Sequence, residues 1–108
     1  MSVEQLDVVD IISINETGEV VLAISDHLAW TDSVDHQTKL QAKLNKYLAF
    51  IESGELLQRY AEAKDRVVVI RVFFKYPPDE KGQNFLDRAK EVIEKAGFQL
   101  RHEVFDAA

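Results

Sequence analysis

The run Arg66-Val67-Val68-Val69-Ile70-Arg71-Val72-Phe73-Phe74-Lys75-Tyr76, followed by Pro77-Pro78, decides the architecture of this chain. Side chains alternate across a strand, so Val68, Ile70, Val72, Phe74 and Tyr76 share one wholly apolar face. The other face, with Val67, Val69, Arg71, Phe73 and Lys75, is mixed. The prolines end the strand because they cannot donate to a ladder. A strand with one fully apolar side belongs to a sheet that helices cover on that side.

On the C-terminal side the spacing predicts a helix from about Glu80 or Gln83 to Ala96. Phe85, Ala89, Val92, Ile93 and Ala96 share its inner face, and Asp87, Lys90, Glu91, Glu94 and Lys95 cover the opposite side. Gly97 closes it, and a last strand from Phe98 to Phe105 sets Phe98, Leu100, His102 and Val104 on one face. On the N-terminal side, Val8–Ile14 and Glu19–Ser25 read as strands joined by the turn Asn15-Glu16-Thr17-Gly18, a hairpin signal. A helix from about Val34 to Ser53 follows, with Leu40, Leu44, Tyr47, Leu48 and Ile51 as its apolar stripe. Asp32 or Ser33 caps it, Asp35 suits the positive end of its dipole, and Gly54 stops it. A short helix then turns Leu56, Leu57 and Tyr60 inward.

The expected order is therefore β-β-α-β-α-β: an α+β two-layer sandwich, with a four-stranded mixed sheet carrying two long helices on one face. The first two strands form an antiparallel hairpin, and the third and fourth run parallel through a right-handed crossover. Strand order is left open. The 108 residues suit a single domain spanning 1–108, and with 46% apolar and 30% charged residues a globular chain is expected.

Three stretches carry a resemblance: Ile24-Ser25-Asp26-His27-Leu28-Ala29-Trp30; Lys43-Leu44-Asn45-Lys46-Tyr47-Leu48-Ala49-Phe50-Ile51-Glu52-Ser53-Gly54-Glu55-Leu56; and Lys75-Tyr76-Pro77-Pro78 running into Phe85-Leu86-Asp87-Arg88-Ala89-Lys90. With these the chain resembles, over nearly its whole length, a family of small bacterial proteins catalogued as a domain of unknown function. The resemblance implies a bacterial, stand-alone, intracellular protein. It implies no activity and supplies no catalytic residues.

Composition narrows the chemistry. The absence of cysteine removes disulfides, thiolate metal sites and a cysteine nucleophile. It agrees with a cytoplasmic protein, as does an acidic N-terminal stretch unlike a secretory signal. The apolar runs Val20–Ile24 and Val67–Ile70 are too short to span a bilayer, so no membrane partner is expected. A net charge of −6 disfavours nucleic acid. The lysine ridge Lys39, Lys43, Lys46 reads as a solvated helix face. Glycines are scattered at turns, so no phosphate loop forms, and no serine sits in a nucleophile elbow.

The most suggestive polar stretch is Asp26, His27, Trp30, Asp32, Asp35 and His36. Its spacing matches no HExxH, EF-hand or facial-triad pattern. Each residue has a structural explanation: Asp32 and Asp35 at the helix start, His36 flanking the apolar stripe, Asp26 and His27 at a strand end, and Trp30 lidding the core. His102, on the apolar parity of the last strand, reads as a core histidine. Two function classes follow. The first is a non-enzymatic interaction module with no cofactor, self-associating as a homodimer or binding another protein. Its interface is the open sheet face, with Val67, Val69 and Phe73 as an exposed stripe rimmed by Arg71, Arg101 and Glu103. The second is a small metal-binding protein or enzyme using Asp26, His27, Asp32 and His36.

Overall fold

A computed structural model of the chain describes residues 11–30 and 33–104. The order is β1 (Ile11–Ile14), β2 (Val20–Asp26), α1 (Ser33–Glu52), α2 (Glu55–Arg59), a 3-10 turn (Ala61–Ala63), β3 (Val68–Phe74), α3 (Glu80–Lys95) and β4 (Gln99–Val104). The fold is the expected α+β sandwich, a four-stranded mixed sheet with two long helices and one short one. The strands lie in the order β1-β2-β3-β4. β1 pairs antiparallel with β2, β2 parallel with β3, and β3 parallel with β4.

Local chemistry fixes the element ends. In the β1–β2 turn the Asn15 side-chain carbonyl accepts the amides of Thr17 and Glu19, and Gly18 takes the left-handed φ of 85° that closes it. Asp79 caps α3 by accepting the Gly82 amide at 2.7 Å. The crossovers β2-α1-β3 and β3-α3-β4 step the same way across the sheet. With one handedness they place α1 and α3 on the same face, where the two helices touch. That face supplies the core: Val20, Leu22 and Ile24 of β2, Val68, Ile70, Val72 and Phe74 of β3, and Leu100 of β4, packed under Leu40, Leu44, Tyr47, Phe85 and Ile93.

Several single-residue expectations are corrected. The central strand is shorter than Arg66–Tyr76, so Tyr76 falls beyond it and is exposed. Leu57, Ala96 and Val92 lie outside the core, Val92 at 61% exposure, because α3 turns its Phe85–Leu86–Ile93 side to the sheet. His102 and Val104 are exposed rather than buried. Among the described residues β4 has a neighbouring strand on one side, and its burial stops after Leu100. Lys43, expected in solvent, is fully buried. The inner row of α1 runs His36, Leu40, Lys43, Tyr47, Phe50, and Lys43 sits in the middle of it with its ammonium 5.4 Å from the Tyr47 ring centroid. The expected strand residues Val8 to Asp10, the helix cap Asp32 and the strand residue Phe105 lie outside the described residues.

Candidate functional site

Asp26 is the last residue of β2 and shares the parity of Val20, Leu22 and Ile24, so alternation points it into the helix layer. His36, in the second turn of α1, meets it there. The His36 Nε2 to Asp26 Oδ2 distance is 2.5 Å, and neither side chain reaches solvent, at 2% and 0% exposure. Asp26 Oδ1 accepts the Leu28 amide at 3.1 Å, which turns the chain away from the sheet directly after the strand. The other imidazole nitrogen, Nδ1, is buried and has no hydrogen-bond partner among the described residues.

Trp30 closes the cluster. Its indole stacks on the His36 ring at 3.7 Å between centroids and an interplanar angle of 25°. Its Nε1–H donates to the Tyr76 carbonyl at 3.3 Å, and its six-membered ring rests against Gly82 of α3. A β-carbon at position 82 would lie 2.7 Å from that ring, so the close approach requires glycine. Phe74 touches Trp30 on one side and the edge of His102 on the other. The expectation that Trp30 lids this end of the core is therefore met.

An aspartate holding one nitrogen of an imidazole is half of a general-base arrangement. Here, among the described residues, the other half is missing: the pair lies under the indole, and no described hydroxyl partners the second nitrogen. Of the four residues Asp26, His27, Asp32 and His36, the fold brings together Asp26 and His36. His27 is exposed at the start of the loop, and Asp32 lies outside the described residues. Among the described residues no group of three or more His, Asp or Glu side chains is placed to hold a metal ion. The arrangement works as a clamp that joins the end of β2, the start of α1 and the first turn of α3.

The sheet face away from the helices is the second candidate. Register sets Val21 beside Val69 beside Gln99, then Ala23, Arg71 and Arg101, then Ser25, Phe73 and Glu103. The expected exposed stripe is corrected at Val69, which is fully buried, while Val67 is exposed and Phe73 half-buried. Glu19 enters β2 and Arg101 belongs to β4, so their bidentate pair at 2.8–2.9 Å must cross β3 above Val69. Arg101 also donates to Gln99 at 2.7 Å. Arg71 lies 5.0 Å from the Phe73 ring centroid and pairs with Glu103 at 2.8 Å. Hydrogen bonds from Arg101, and then Asn15, hold the Glu19 carboxyl down at about 2 from its ordinary 4.5. The same carboxylate raises Arg101.

Glu19 had no role in the sequence reading, and Lys43 was read there as solvated. Lys43 carried a signal, since it lies seven residues after His36 and seven before Phe50. Glu19 carried none, because its partner is 82 residues away.

One family model, described as a family of unknown function (DUF6572), matches residues 1–106. No curated protein and no solved structure matches the chain. Among the described residues no helix is long and apolar enough to cross a membrane.

Proposed function

Since the chain belongs to DUF6572, a family whose description carries no activity, the reading rests on its own residues, and we propose that it is a non-enzymatic interaction module that binds a second copy of itself through the open sheet face. The observation that carries this reading is the relief around Phe73. The ring stands half-buried on β3, and its neighbours Ala23 and Ser25 on β2 are small and only partly covered. A two-fold contact must be self-complementary. A projecting ring beside a shallow strip of Ala and Ser meets that condition, with Phe73 of each copy seated over Ala23 and Ser25 of the other. Val67 extends the apolar contact, and Arg71, Arg101 and Glu103 form its rim. Burial of apolar area contributes roughly 25 cal/mol per Å², opposed by the entropy of association.

Sedimentation velocity tests the reading. The parent chain is expected to sediment as a dimer, and Phe73→Glu as a monomer with an unchanged circular dichroism spectrum. A parent chain that stays monomeric at high concentration ends the idea.

A further inference from the structure

Helix α1 carries two rows of side chains with heptad-like spacing. One row, from His36 through Leu40 and Tyr47 to Phe50, is buried against the sheet. The other, Val34, Gln37, Gln41, Leu44 and Leu48, faces the seam with α3. Across the seam stand Arg88, Ala89 and Val92. Two hollows open along this line, of about 330 and 580 Å³. Gln37 and Arg88 line both, so they form one continuous groove on the outside of the helix layer. Its floor is apolar toward the Leu48 and Val92 end.

The groove is long and open. From Val34 to Leu48 is fourteen residues, about 21 Å of helix at 1.5 Å per residue. Val34 and Val92 are 66% and 61% exposed, so the walls do not close over a ligand. Small-molecule sites bury most of their ligand's surface, which this groove cannot do. A helix laid along the seam would cover both valines and the apolar floor together, with anchors spaced by three and four residues.

Charge identifies that helix further. Four of the five arginines are engaged within the chain: Arg59 over Phe50, Arg66 on the carbonyls of Gly18 and Glu62, Arg71 with Glu103, and Arg101 with Glu19. Arg88, exposed where the two hollows join, has no hydrogen bond or ion pair with the described residues. Lys81 lines the same end of the groove; Asp87, which also lines it, accepts a hydrogen bond from Gln83. An unpaired guanidinium beside an apolar floor is complementary to an acidic side chain on an amphipathic helix. We propose that the α1–α3 seam is a docking groove for an amphipathic helix of another protein, anchored by an aspartate or glutamate on Arg88.

Selection of phage-displayed helical peptides on the chain tests this directly. Enriched peptides should share two or three apolar positions spaced by three and four residues, with an acid at one fixed offset. A fluorescent copy of an enriched peptide should bind Arg88→Glu at least tenfold more weakly, and replacing the peptide's acid with lysine should restore affinity for that variant. Val92→Asp should weaken binding, whereas Phe73→Glu should leave it unchanged, which separates this groove from the sheet-face reading. The proposal is overturned if no peptide is enriched, or if enriched peptides bind Arg88→Glu as tightly as the parent. It is overturned equally if Val92→Asp dissociates a dimer of the chain, which would make a second copy the occupant.

Discussion

Asp26 and His36 are ten residues apart, and each would be costly to bury alone. An unpaired polar group in the interior costs more than the net worth of its hydrogen bond. Asp26 satisfies its carboxylate with one imidazole and one backbone amide, so removing it strands His36. Asp26→Ala is expected to destabilise the fold by about 3–5 kcal/mol, the range for breaking one side of a buried pair. The double variant Asp26→Leu/His36→Leu should cost clearly less than the sum of the two single leucine changes, because those changes are coupled. Urea denaturation of the parent and the four variants measures both quantities. Additive losses would show that the pair contributes no mutual stabilisation.

At the scale of elements, α3 shows how a helix with clear amphipathicity still leaves some apolar residues in solvent. Its buried line is Phe85, Leu86 and Ile93, held at the N-terminal end by the Asp79 cap and by the contact of Gly82 with Trp30. Val92 lies one residue from Ile93, about 100° around the helix, and this rotation takes it from the core to the seam. Ile70→Ala at the centre of β3 and Leu44→Ala on α1 are each expected to cost about 2–5 kcal/mol, as deletions in a close-packed core do. Val92→Ala should stay within about 0.5 kcal/mol, as exposed substitutions do. Denaturant midpoints compare the three. A large loss at Val92 would place it in the core and remove it from the groove.

Across the whole molecule, the sheet is tied by more than its ladder. Glu19, just before β2, and Arg101 on β4 tie together strands that are not neighbours. The depressed Glu19 pKa sets the sign of the acid response. A carboxyl at about 2 in the folded chain and at its ordinary 4.5 otherwise contributes stability that is fully present above about 4.5 and lost as the pH falls toward 2. In Arg101→Gln the Glu19 carboxyl should titrate higher, toward 4.5 but still held below it by Asn15, and the acid limb of the stability profile should flatten over that window. Carbon-detected NMR of the Glu19 carboxyl reads the first effect and acid titration by circular dichroism the second. An unchanged titration would show that the bridge does not form in solution.

Features that depend on neighbours in the chain were legible in the sequence. The alternation of Val68, Ile70, Val72 and Phe74, the turn at Asn15 to Gly18, and the stops at Gly54 and Gly97 each act within a few residues, so the α+β layering and the element order could be read directly, while the strand ends could not. Trp30 was also placed correctly, as a lid at a strand end. Strand order, the meeting of Asp26 with His36, the burial of Lys43 and Val69, and the exposure of Val92 and His102 were settled only by tertiary structure. Each depends on which distant element lies over a residue. Periodicity shows the face a side chain occupies, but whether that face is covered depends on the strand beside it and the helix or ion pair above it.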